Sequence, residues 1–183
     1  VSILYEWLRP MNFHPDQIAQ LFQACQTPSG RLFSSDSHEL LVDRDQLLLR
    51  PIANQAEKPI FIQLEAQQVE LPEGRLTWRL RDQAPAVFPK ATTMAYLDFA
   101  ALDFPLVLRR WRTGDAFQPY GMGGHHQKLQ DFFSNAKLSR FEKQRTWLLE
   151  SAGQICWVVG RRLDERFRVE KPSKQVLEVQ WIP

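Results

Sequence analysis

The residues with the clearest capacity for chemistry lie in one stretch, LRRWRTGDAFQPYGMGGHHQK, Leu108 to Lys128. Bunched glycines ahead of a helix suggest a phosphate cradle, in which backbone N–H groups surround the anion. That chemistry needs Gly, four residues, then Gly-Lys-Ser/Thr, and the spacing here does not supply it. No Gly-x-Gly-x-x-Gly opens a helix after a buried strand, so a dinucleotide site is unsupported. The glycines read as turn residues with φ > 0. His125 and His126 suggest a metal, but adjacent residues point in different directions, and a zinc site would need two more ligands with neither cysteine near in sequence. No metal is expected. Cys25, on an apolar helix face, and Cys156, inside ICWVV, read as core rather than as nucleophiles.

Charge is what remains. Arg109, Arg110 and Arg112 surround Trp111, and strand geometry would put Arg110 and Arg112 on one face with Arg109 and Trp111 on the other. Residues 1–105 hold 9 Lys/Arg against 13 Asp/Glu, a net of −4, whereas residues 106–168 hold 12 against 6, a net of +6. Such segregation fits a polyanion-binding surface or an ordinary solvated basic face. On the first reading the phosphate contacts are Arg109, Arg110, Arg112, Lys128, Lys137, Arg140, Arg145, Arg161 and Arg162. Gly114, Asp115, Pro119 and Gly121 shape a tight turn, with Asp115 accepting backbone hydrogen bonds.

These residues must be positioned by short elements. VSILYEWLRP puts Ile3, Leu4, Trp7 and Leu8 on one helical face, and HPDQIAQLFQACQ starts at Pro15 and Asp16 with Ile18, Leu21, Phe22 and Cys25 at helical spacing. Beyond a Pro28-Ser29-Gly30 break, turns at Ser34 to Ser37 and Asp43 to Gln46 separate strand-like runs. From Pro51 onward PIFIQLE, RLTWRLRD, LDFPLVLRRWR, QICWVVGRR, ERFRVE and QVLEVQWI read as strands. RLTWRLRD alternates, with Leu76, Trp78 and Leu80 on one face. KLQDFFSNA and SRFEKQR read as two short helices, the second with a Ser139 and Glu142 capping box. Trp111, Trp157 and Trp181 read as core. The longest apolar run is broken by Asp98, Asp103 and Pro105, short of the ~20 residues of a membrane span. No export signal or disulfide spacing is evident, which leads to the expectation of a cytoplasmic protein. Val1 in place of an initiator methionine suggests a piece of something longer.

The order of elements from Leu106 to Val169 resembles the C-terminal domain of bacterial tRNA(Ile)-lysidine synthases. Arg112, Gly114, Asp115, Phe117, Pro119, Gly121 and Met122 are similar to that family's Arg-x-Gly-Asp-x-Phe-x-Pro-x-Gly-Met signature. Lys128, Leu129, Asp131 and Phe133 resemble its lysine-and-phenylalanine helix, and Trp157, Gly160, Arg162 and Phe167 its closing strands. Upstream, Ser29, Gly30, His38, Asp43 and Arg44 resemble the end of its middle, substrate-recognition domain. Many members have proline where Ser139 and Trp147 stand, and arginine where Lys143 stands. The family's Ser-Gly-Gly-x-Asp-Ser adenylation loop does not occur in these 183 residues.

The resemblance implies an α+β chain: a helix-hairpin segment over residues 1–54 left from the middle domain, a β-rich connecting segment over 55–105, and a C-terminal tRNA-binding domain over 106–183. The last is expected to be β-sandwich-like, of a kind also seen in the phenylalanyl-tRNA synthetase β-subunit. It also implies a parent ATP-dependent ligase that joins lysine to the wobble cytidine of tRNA(Ile). ATP with Mg and lysine are then substrates of the parent, with no cofactor and no catalytic residue in this chain, which is not expected to be active alone. Partners implied are tRNA(Ile) and the N-terminal catalytic domain, with a homodimer left open and no membrane. A protein-interaction or dimerisation module with an incidental basic face is the rival, marked by an exposed apolar patch. A hydrolase or metal enzyme using His125 and His126 is the other.

Overall fold

A computed structural model describes residues 2–26, 30–52, 58–170 and 175–183. The Pro28-Ser29 break and the boundary expected between residues 54 and 55 lie outside them. The chain forms two compact units, Val1–Ala56 with Ser139–Glu142, and Glu57–Leu138 with Lys143–Pro183.

In the first unit, α1 (Ser2–Leu8) and α2 (Pro15–Ala24) precede β1 (Leu32–Ser34), β2 (His38–Asp43) and β3 (Gln46–Pro51), which pair antiparallel in sequence order. Pro15 takes the first helical position of α2, where a missing N–H costs nothing. His14 caps the helix: its Nδ1 accepts from Asp16 N–H (3.4 Å) and its own N–H donates to Gln17 Oε1 (2.9 Å). Leu8, Phe13, Ile18, Leu21, Ala24, Phe33, Leu40 and Val42 form the core. Helices this short turn only a narrow stripe inward. Of the α1 face expected as buried, Leu8 is buried while Ile3 is 85% and Trp7 41% exposed. On α2 the stripe is Ile18, Leu21 and Ala24, so Phe22 and Cys25 turn outward, and Cys25 is exposed rather than core.

The second unit runs through β4 (Ile60–Ile62), β5 (Gln68–Leu71), β6 (Gly74–Arg81), β7 (Met94–Asp98), β8 (Leu106–Arg110), β9 (Ala116–Phe117), β10 (Gln127–Lys128), α3 (Leu129–Asn135), α4 (Arg140–Arg145), β11 (Trp147–Ser151), β12 (Gln154–Val158), β13 (Arg162–Leu163) and β14 (Val176–Ile182), residues 140–142 of α4 counting with the first unit. One sheet has the order β13-β12-β11-β8-β4 and the other β5-β6-β14-β7, every neighbouring pair antiparallel. Their facing sides share one core, with Leu76 and Trp78 from β6 and Leu177 and Val179 from β14 against Leu106, Leu108, Leu149 and Trp157. This is the alternation that buries one face of each strand in a sandwich. The far side of the five-stranded sheet is covered by α3 and the β9–β10 ribbon, through Phe117, Leu129, Phe133, Leu148, Ile155 and Val158.

β12 breaks its own alternation. Leu149 lies opposite Trp157 but Glu150 opposite Ile155, so Cys156 is the extra residue of a β-bulge. Cys156 and Trp157 therefore enter the same core, 0% and 1% exposed.

The α+β class, with a helix-hairpin start, antiparallel sheets and two short helices, is borne out. Residues 55–105 are not a connector, however: β4 is an edge strand of one sheet, and β5, β6 and β7 make up three quarters of the other. Apart from the local β5–β6 hairpin, their pairing partners lie in β8 and β14, beyond the reach of any local pattern. ERFRVE, expected as a strand, contains a 3-10 turn over Glu165–Phe167, capped by Asp164. No helix among the described residues is long and apolar enough to cross a membrane.

Gly74 opens β6 with φ +150°, and a Cβ there would stand 2.2 Å from the Ile182 carbonyl oxygen and 2.8 Å from Pro183 Cα. Backbone cannot step aside as a side-chain tip can. Gly74→Ala is expected to destabilise the protein by about 1–3 kcal/mol, read as a lower urea midpoint at unchanged slope.

Candidate nucleic-acid interface

β8 delivers its arginines to opposite sides of the five-stranded sheet. Arg109 faces α3 and makes a two-pronged bond to Asp115, Nη1 to Oδ2 at 2.9 Å and Nη2 to Oδ1 at 2.8 Å, while Nη2 also reaches Glu150. The three side chains are only 11%, 14% and 9% exposed. Hydrogen bonding to Asp115, joined by Glu150, holds the Arg109 guanidinium pKa above its ordinary value despite burial. Burial alone would raise the Asp115 pKa, but the bonds from Arg109 and the Arg112 N–H overcome it and keep it lowered.

Asp115 also builds the turn. Its Oδ2 accepts the Arg112 N–H (2.6 Å), its N–H donates to the Arg112 carbonyl (3.1 Å), and its carbonyl accepts the N–H of Leu129, the first residue of α3 (2.8 Å). Gly114, at φ +97°, supplies the backbone reversal between them.

Arg110 turns the other way. Its guanidinium lies 3.7 Å from the Trp147 ring centroid and donates from Nη2 to both oxygens of Glu73 (2.7 and 2.9 Å), and Trp147 Nε1 donates to the same carboxylate (3.0 Å). Nη1 donates to the Arg145 carbonyl. Stacking and bidentate pairing occupy the planar fork that a phosphate would use.

The glycine loop after β9 is stitched to the segment after β12. Asp164, 0% exposed, accepts from the Gln118 N–H (2.8 Å), the Arg166 N–H (2.9 Å) and the Arg166 guanidinium (2.9 and 2.8 Å). Pro119 forms a β-bridge with Asp164, and the Gly121 N–H donates to Glu165 (2.7 Å). His125 and His126 are exposed on this loop, where His126 Nε2 lies 2.9 Å from Gln118 Nε2. Among the described residues no group of three or more His, Cys, Asp or Glu could hold a metal.

The nine cations expected to contact phosphate are therefore not equivalent. Arg109 and Arg110 are half-buried and engaged internally. Arg112, Lys128, Arg140, Arg145 and Arg162 are exposed and make no ion pair among the described residues, Lys137 is exposed, and Arg161 is half-buried. Arg112 and Lys128 flank one turn, since Leu129, next to Lys128, bonds the carbonyl of Asp115. Arg162 lies beside Leu163, whose carbonyl accepts the Tyr120 N–H (2.8 Å). Sequence reasoning missed Glu73, Glu150 and Asp164. The Arg109–Glu150 and Arg110–Glu73 pairs span 41 and 37 residues, so no local signal announces them. Asp164 carried one usable sign, an acidic residue two before an arginine at a turn.

The second unit is thus an α+β sandwich with exposed basic residues on its turns and short strands. The same fold appears in the solved structure titled "Crystal structure of TILS C-terminal domain", which aligns with a TM-score of 0.59 and 26% identity over 68% of this chain and 96% of that one. The TilS substrate binding domain family matches residues 1–52, and the TilS substrate C-terminal domain family matches residues 106–181. A tRNA(Ile)-lysidine synthase of Parabacteroides distasonis is 40% identical over 99% of this chain and 41% of its own length. Those of Bacteroides thetaiotaomicron and Porphyromonas gingivalis are each 30% identical, over 96% and 94% of this chain and 38% and 40% of theirs. The chain belongs to the tRNA(Ile)-lysidine synthase family and carries its substrate-binding and C-terminal domains. It spans about 40% of the length of these relatives.

Proposed function

We propose that this chain is the part of a tRNA(Ile)-lysidine synthase that holds the tRNA, in a cytoplasmic enzyme that joins lysine to the wobble cytidine at the expense of ATP. Adenylation, with its ATP, Mg and lysine sites, belongs on this reading to the part of the relatives outside the matched span, which is the chain's partner in cis. The observation that carries the proposal is that five of the nine cations expected to contact phosphate stay exposed and form no ion pair among the described residues: Arg112, Lys128, Arg140, Arg145 and Arg162. Arg109 and Arg110 drop out of the phosphate-contacting set. Exposed cations on turns and edges suit an RNA duplex, which is recognised largely by shape, phosphates and 2′-hydroxyls.

The test is affinity for tRNA(Ile) across a salt series. Each phosphate contact contributes to the slope of log affinity against log salt, so Arg112→Ala and Arg162→Ala should each flatten it by about 1 and weaken binding at low salt. Substituting the exposed Lys90, outside this set, should leave the slope unchanged. A slope near zero for the unsubstituted chain, or no binding at low salt, overturns the proposal.

A further inference from the structure

The glycine loop leaves two large apolar side chains in water, Tyr120 and Met122, 48% and 46% exposed. Loose loops fold such groups down onto the surface, but the backbone here is fixed. The Tyr120 N–H donates to the Leu163 carbonyl (2.8 Å), the Gly121 N–H to Glu165 (2.7 Å), the Glu165 N–H to the Gln118 carbonyl (2.7 Å) and the Met122 N–H to the Pro119 carbonyl (3.1 Å). The last bond closes a turn that carries both side chains. A rigid loop that holds an aromatic ring and a thioether outward has already met the ordering cost that a binding partner would otherwise impose.

Two exposed cations that form no ion pair among the described residues lie nearby: Arg162 directly precedes Leu163, and Lys128 stands at the foot of the ribbon that carries the loop, opposite Ala116, whereas Arg168 is taken up by Glu165 and Glu170. An apolar protein partner would match Tyr120 and Met122 but not this cationic rim. An unpaired nucleotide matches both: its base stacks on the ring, and its neighbouring phosphates meet the cations.

We infer that Tyr120, with Met122 on the same turn, is a stacking seat for an unpaired base of the bound RNA, with Arg162 and Lys128 serving the adjoining phosphates. The inference rests on the tRNA-holding reading and adds to it a contact with a base rather than with the backbone. It gives a binding role to a loop whose residues were expected to be architectural only.

The test uses two RNA hairpins of identical stem and loop, one blunt and one with a short single-stranded 3′ extension carrying 2-aminopurine. The unsubstituted chain should bind the extended hairpin more tightly and quench the 2-aminopurine. Tyr120→Ala should lose roughly tenfold or more of that preference together with the quenching, the scale of one base–aromatic stack. Tyr120→Phe should retain both, and blunt-hairpin affinity should not change in either variant, which also shows that they fold. Equal binding of both hairpins by the unsubstituted chain, with Arg112→Ala still weakening it, would remove the stacking seat and leave phosphate holding in place. Failure of the unsubstituted chain to bind either hairpin at low salt would overturn both.

Discussion

Arg109→Met should destabilise the second unit by about 3–5 kcal/mol at pH 7, because it leaves two buried carboxylates facing each other without their shared counter-charge. Asp115 and Glu150 are 14% and 9% exposed and meet the same guanidinium. The pH dependence identifies the cause. In the unsubstituted protein the folded pKa of Asp115 lies below its ordinary value. Its ionised form therefore contributes stability that is present above the unfolded pKa of about 3.9 and is lost as the pH falls through the lower folded value. Without Arg109 burial dominates, and the folded pKa rises above the unfolded one. The sign then reverses: the variant should recover stability as the pH is lowered from 7 to 5, while the unsubstituted protein should not gain from this site. Urea unfolding at the two pH values measures both. Equal losses at both would attribute the effect to packing alone.

Asp164→Ala should cost about 3 kcal/mol, and its effect should begin locally. The substitution strands the Gln118 N–H, the Arg166 N–H and the Arg166 guanidinium together. Arg166 is 31% exposed and can turn to water, which places the loss at the low end for a broken buried pair. The backbone groups of the glycine loop have no such freedom. Amide exchange at Gln118, Tyr120 and Gly121 should accelerate well before exchange in β11 and β12 does. Uniform acceleration across the unit would show that Asp164 supports the whole sandwich rather than this loop.

What the sequence revealed follows from the range of the forces involved. RLTWRLRD announced β6 because period-two alternation is local, and Leu76 and Trp78 are buried as it implied. QICWVVGRR was legible as a strand, but not the bulge at Cys156, which depends on the register against β11. β5 and β7 carried weaker patterns and went unread, and with them the integrity of the sandwich across residues 55–105. The basic surface was legible only as a sum. Counting charge along the chain treats Arg109 and Arg112 alike, whereas Asp115, close in sequence, and the distant Glu150 take the first and leave the second in solvent. Ion pairs across tens of residues exist only after folding.

The bulge in β12 also makes Cys156 age differently from Cys25. Cys25 lies in solvent and is open to oxidants at all times. Cys156 is buried beside Trp157, and the same burial pushes its thiol pKa up, so the folded protein presents almost no reactive thiolate there. Its modification must wait for the sandwich to open. Two thiols of equal intrinsic chemistry thus run on separate clocks, one set by collision with the reagent and the other by the lifetime of the fold.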